Sequence, residues 1–172
     1  MQLNKYKGKQ LIKFIGKVEL YVAIILLVLI VGLLAVNVGL RYVFHKPAMW
    51  INPTIILLFI WASMFSVSYV YKEKGHISIK LIVERFSKSS KIIIDLVIYL
   101  IIILTLLLVI VGTVKILPVH AKRFITGLGI SRIWFSYGIL FPLVSILITT
   151  IYFSFITLLE RDFHVKSNEK EI

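Results

Sequence analysis

Leu20-Tyr21-Val22-Ala23-Ile24-Ile25-Leu26-Leu27-Val28-Leu29-Ile30-Val31-Gly32-Leu33-Leu34-Ala35-Val36 contains no charged side chain. An α-helix of this length crosses most of a hydrocarbon core roughly 30 Å thick. Three further runs have the same character. No charge lies between Lys46 and Lys72, between Asp95 and Lys115, or between Arg132 and Glu160. The expectation is an all-α integral membrane protein. Its spans fall at residues 20–40, 53–71, 92–117 and 133–159, within a single membrane domain of residues 1–172.

Composition points the same way. Of the 172 residues, 59% are hydrophobic, and the mean hydropathy is +0.97. A soluble domain of this size needs a more polar surface. With no cysteine, disulfide frameworks, thiol chemistry and cysteine-based metal sites are excluded. The net charge of +12 comes from Lys and Arg that flank the apolar runs. Membrane topology and anionic headgroups select that placement, so nucleic acid is not expected as a partner.

Outward from the first span, residues 1–19 carry Lys5, Lys9, Lys13 and Lys17 at four-residue spacing, which stacks them on one side of a helix. Leu11, Phe14, Ile15 and Val18 fall on the apolar side. This predicts a basic amphipathic helix in the membrane interface, held by lipid contacts of Lys9, Lys13 and Lys17. A cleaved secretory signal is disfavoured, because the apolar run is too long for one and no small-x-small cleavage site follows. At the far end of the span, Asn37 and Arg41 lie one helical turn apart.

Asn52-Pro53 predicts the start of the second span, with Asn as cap and Pro at the first helical position. Ala62 and Ser66 open a small-residue face to a neighbouring helix. Lys72 begins a polar segment, 72–91, in which Ile77, Leu81, Ile82 and Phe86 predict a second short interfacial helix. Pro118 is expected to end the third span. Pro142 is expected to kink the fourth and to free the Gly138 carbonyl. Residues 160–172 form a charged, frayed cytoplasmic tail.

Orientation follows from the distribution of Lys and Arg. Fourteen lie in residues 1–19, 72–91 and the tail, against six on the other side. Both termini are therefore expected in the cytoplasm.

Chemistry within the spans is sparse. Glu19 and Asp95 sit at span ends, and no ionisable residue falls near the centre of any span. Hydroxyls at Ser63, Ser66, Ser68, Thr105, Ser145, Thr149, Thr150 and Ser154 are expected to bond their own helix or a neighbour. The four histidines are scattered, and no phosphate-binding glycine loop is present. No catalytic, substrate-binding or metal site is expected, and no cofactor. Such a bundle supports a partner rather than acting alone.

The ordered set of features from Asn37 to Pro142 resembles the small membrane subunit (DctQ-like) of TRAP, or tripartite ATP-independent periplasmic, transporters. It comprises Asn37-Val38-Gly39-Leu40-Arg41-Tyr42-Val43-Phe44, Trp50, Trp61, Lys74-Gly75-His76-Ile77-Ser78-Ile79, Gly129-Ile130, Tyr137 and Pro142. The resemblance covers nearly the whole chain, and its motifs are specific only as a set. It implies a component of a sodium-driven, binding-protein-dependent uptake system for an organic anion, such as a dicarboxylate or sialic acid. The implied partners are a large many-spanning elevator subunit, which carries the substrate site, and a soluble periplasmic binding protein. The small subunit widens the fixed scaffold.

Arg41, Trp50, Trp61 and His76 become candidate partner or lipid-interface contacts. Arg41 has two readings, a lipid phosphate or the large subunit. The family commonly carries acidic residues just after the tryptophan matched by Trp50. Here Ile51-Asn52-Pro53 stands instead, so if that acidic group pairs with the arginine matched by Arg41, the pairing is lost or rerouted. Two other classes compete: an anchor subunit of another complex, which would place haem-binding histidines within spans, and a small oligomeric carrier or channel, which would need a polar face along a span.

Overall fold

The computed structural model describes residues 2–43, 45, 48–74 and 88–168, with side chains within 8–43, 45, 48–73 and 94–158. Four helices carry the described fold: α1 (Gln2–Tyr42), α2 (Ile51–Lys74), α3 (Lys88–Ala121) and α4 (Ile133–Asn168). In lipid a spanning segment must satisfy its own backbone, which a helix does internally. All four contain apolar stretches long enough to cross a membrane.

Residues 1–19 and 20–40, expected as an interfacial helix and a span, share one helix from Gln2 to Tyr42. Its length is about 60 Å at 1.5 Å per residue, twice a hydrocarbon core. Neither a proline nor a glycine pair interrupts the run, so no sequence feature breaks it. The second helix begins at Ile51, one residue before the expected cap. Asn52 does not cap it; its Oδ1 accepts from Asn37 Nδ2 at 2.9 Å.

Pro118 does not end α3, which continues to Ala121. A proline this close to a C-terminus sacrifices one hydrogen bond, which the last turn tolerates. Pro142 is fully buried within α4, and the helix runs unbroken past it to Asn168, through most of the expected tail. The second interfacial helix expected over 72–91 lies largely outside the described residues.

α1 packs on α2, α2 on α4, and α4 on α3. The two inner members of this row are therefore α2 and α4, with α1 and α3 outside. Burial agrees. In its most apolar window α4 is 33% buried, against 6% for α3. Its enclosed side chains include Leu143, Ile146, Thr149, Thr150 and Phe153. Exposed side chains such as Leu108 and Val28 are what a lipid-facing surface requires.

Residues 122–132 fold into a short turn between α3 and α4. Phe124 and Ser131 form an antiparallel bridge. Ile125 N donates to Ile130 O at 2.8 Å, and Arg132 N to Arg123 O at 2.8 Å. Gly127 turns the chain at φ 91°. A Cβ there would also lie 2.7 Å from the Met49 carbonyl oxygen, so glycine is required on two counts. Through this contact the turn rests on the segment joining α1 to α2.

Candidate functional site

The polar centre of the described structure is built from three helices. Glu19 of α1 and Lys72 of α2 form an ion pair, Nζ to Oε1 at 2.5 Å. Their side chains are 6% and 2% exposed respectively. Lys72 Nζ also donates to Ser68 Oγ at 3.2 Å and to Ser145 Oγ at 2.7 Å. Ser145 Oγ in turn donates to Glu19 Oε1 at 2.9 Å. An ammonium has three protons, and all three are used. Glu19 Oε2 is buried with no hydrogen-bond partner among the described residues.

Local sequence explains the geometry. Ser68 and Lys72 are one turn apart on α2, on the face that also buries Ala62 and Phe65. Gly16 of α1 lies beside the lysine stem; a Cβ there would sit in ordinary contact, 3.5 Å from Lys72 Cδ. Burying two charges is costly, and the cost is offset only when they pair closely and satisfy further hydrogen bonds.

This cluster joins charges that the sequence places at separate span ends. Glu19 and Lys72 do lie at the ends of their own apolar runs. They meet Ser145, however, which sits midway along the apolar part of α4, Ile133–Leu158. A charged pair from the ends of two apolar runs is thus enclosed against a hydroxyl of the fourth helix, an enclosure the sequence reading did not anticipate.

The hydroxyls divide accordingly. Ser63 donates to Ile60 O, Ser66 to Ala62 O, Thr105 to Ile101 O and Thr149 to Ser145 O. Thr150 donates to Ile146 O and also meets Tyr71 OH at 2.8 Å. Ser68 and Ser145 serve the ion pair instead.

Beside the cluster opens an apolar cleft of about 1110 Å³. Its walls are α1 and α3, and its floor is α2 and α4. Glu19 and Ser145 line one part of it; Trp61 and Trp134 line another. Trp61 Nε1 donates to the Trp134 carbonyl at 3.1 Å. The indole packs closely against Gly138, where a Cβ would come within 2.8 Å of it. Phe65 continues the aromatic floor, 5.8 Å from Trp61 and 6.4 Å from Phe141 between ring centres.

The other sequence candidates are dispersed. Lys9, Lys13 and Lys17 are exposed, while Phe14, Ile15 and Val18 of the same stretch line the cleft. Arg41 is exposed and stacks over the Tyr42 ring, 5.9 Å to its centre. The polar tie at this end of α1 is made by Asn37 rather than Arg41. Trp50 is half exposed, and its carbonyl accepts from Thr54 Oγ1 at 2.7 Å. His76 lies outside the described residues. Of these candidates, only Trp61 belongs to the cleft.

The family model for tripartite ATP-independent periplasmic transporters, DctQ component, matches residues 17–161. The chain belongs to this family. It is thus a transport component, not an enzyme, and a multi-pass protein of the bacterial inner membrane. Two similar proteins carry related descriptions. The small permease protein SiaQ of a sialic acid TRAP transporter from Vibrio cholerae is 25% identical over 136 residues, covering 76% of each chain. The sialic acid TRAP transporter permease protein SiaT of Haemophilus influenzae is 28% identical over 91 residues. That match covers 51% of this chain and 15% of the longer protein.

The Glu19–Lys72 pair escaped sequence reasoning, although a signal for it exists. Glu19 stands 18 residues before Asn37, and Lys72 stands 20 after Asn52. Two antiparallel helices tied at Asn37–Asn52 therefore bring opposite charges level at their other ends.

Proposed function

We propose that this chain is the small membrane subunit of a sodium-driven, binding-protein-dependent carrier of an organic anion, a carboxylate such as a dicarboxylate or sialic acid. It packs against a large many-spanning subunit and broadens the part of the carrier that stays still. A soluble periplasmic protein delivers the substrate. Both termini face the cytoplasm, and the row Lys9, Lys13 and Lys17 rests among inner-leaflet headgroups. Trp50, and Arg41 through lipid phosphate or the large subunit, steady the outer end.

One observation carries this reading. Among the described residues, the only buried acidic or basic side chains are Glu19 and Lys72, and each neutralises the other. A group that handles a solute must exchange its partners, yet every proton of the Lys72 ammonium is committed within the bundle. The chain thus offers shape and anchorage rather than a substrate site.

Transport into vesicles tests it. With the large subunit, the binding protein and a sodium gradient present, uptake should require this chain. Full-rate uptake without it overturns the support role. Solute flux through the purified chain alone would overturn it as well.

A further inference from the structure

The turn between α3 and α4 carries a charge arrangement that the support role does not use. Phe124 faces Ser131 across the antiparallel bridge. Arg123 and Arg132 are therefore the next opposed pair, joined by the bond from Arg132 N to Arg123 O at 2.8 Å. Directly opposed residues of such a pair project from the same face, with Cβ atoms about 4.5–5.5 Å apart. Two guanidinium groups thus stand side by side, and like charges so placed repel. Lys122 adds a third cation, and all three side chains are exposed. No Asp or Glu occurs between Glu19 and Glu73 or between Asp95 and Glu160. Neither the turn nor the α1–α2 linker on which it rests can supply a counter-charge. The backbone beneath the pair is fixed. The Ser131 hydroxyl shares its proton between the carbonyls of His120 at 3.0 Å and Ala121 at 3.1 Å, at the end of α3. His120 Nδ1 meets Ser136 Oγ of α4 at 2.7 Å. A site held ready in this way loses little freedom when it binds.

Depth decides what the pair meets. Lys122 and Arg123 directly follow α3, which ends at Ala121, and Arg132 directly precedes Ile133, where α4 begins. The tip of the turn, residues 125–130, has no charge. A soluble protein arriving from the aqueous side meets this tip first. The guanidinium groups sit lower, where apolar spans give way to headgroups. Phe124 is 68% exposed and Trp134 is 50% exposed, and aromatic side chains settle at that level.

We propose that Arg123 and Arg132 form a headgroup site that clamps the phosphodiester of one anionic phospholipid, with Lys122 adding attraction. A guanidinium offers forked donors that match two phosphate oxygens. Two such groups against one phosphate leave net positive charge. A headgroup without an amine, such as that of phosphatidylglycerol, therefore fits better than phosphatidylcholine, whose own cation is repelled. The orientation proposed above puts this lipid in the periplasmic leaflet. The chemistry of the site does not depend on that orientation, so a reversed topology would move the lipid to the other leaflet without removing it.

The absence of cysteine makes a local test available. The full chain with Phe124→Cys carries one fluorophore beside the arginines. It is reconstituted in phosphatidylcholine vesicles with a small share of phosphatidylglycerol or phosphatidylcholine, spin-labelled near the top of an acyl chain so that it quenches the fluorophore on contact. Spin-labelled phosphatidylglycerol should quench about tenfold more effectively, mole for mole, than spin-labelled phosphatidylcholine. Arg123→Gln with Arg132→Gln should bring the two lipids to equality. Arg123→Lys with Arg132→Lys keeps the charge but not the forked donors, and should lose most of the preference. Equal quenching by the two lipids with both arginines in place overturns the proposal. If the double Gln variant then also binds the soluble delivery protein more weakly, the arginines serve that protein instead. Full preference in the double Lys variant would mean diffuse attraction rather than a phosphate clamp, which overturns the proposal as well.

Discussion

At the scale of single residues, the energetics centre on the ammonium of Lys72. It holds Glu19, Ser68 and Ser145 together from three helices. Removing one partner of a buried pair leaves the other charge uncompensated, which costs about 3–5 kcal/mol. Lys72→Ala should therefore lower the thermal midpoint of the detergent-solubilised protein far more than Glu19→Leu combined with Lys72→Leu, which removes both charges. Equal losses in the two variants would mean that the pair contributes packing rather than electrostatics. Gly138 makes a second residue-scale case. A Cβ at that position meets the Trp61 ring at 2.8 Å, so Gly138→Val must expel the indole and break its bond to the Trp134 carbonyl. Tryptophan emission should shift to the red as the ring leaves its seat, and an unchanged spectrum would contradict the contact.

At the scale of elements, periodicity and charge free runs made the four helices legible. The places where helices meet were not legible, because partners in space lie far apart in sequence. Lys72 reads naturally as the first residue of a polar loop; only its pairing with Glu19 draws it inside. The stretch before Leu20 shows the same limit. Its lysine row and apolar row are plain in sequence, yet nothing there tells whether the helix stops at Glu19. In the structure it does not stop, and a Cβ at Gly8 would lie 2.2 Å from the Tyr152 hydroxyl oxygen. The Gly8 backbone thus meets the end of the Tyr152 side chain of α4. Gly8→Val should push it away and loosen the chain around Lys9 and Lys13. Trypsin cleavage after these lysines should then become faster, while cleavage after Arg123 in the α3–α4 turn stays the same. No change in the first rate would show that this seat does not hold α1.

At the scale of the whole molecule, two polar ties brace the α1–α2 hairpin. Asn37 meets Asn52 at one end and Glu19 meets Lys72 at the other. Along α1 they are separated by about 27 Å at 1.5 Å per residue, close to one hydrocarbon thickness. An isolated hydrogen bond between membrane helices contributes about 0.6 kcal/mol. Asn37→Leu should thus lower stability only slightly, in contrast to Lys72→Ala. The proposed orientation in the membrane rests on the distribution of positive charge. Lys and Arg number fourteen in residues 1–19, 72–91 and 160–172, against six in the segments that follow α1 and end α3. Positive residues near span ends resist translocation. A reporter enzyme that folds only in the periplasm should be inactive when fused to either terminus and active when inserted beside Gly127, in the exposed turn between α3 and α4. Activity at both termini and none at Gly127 would invert the molecule, and would carry Lys9, Lys13 and Lys17 to the outer face, away from the anionic leaflet that is proposed to hold them.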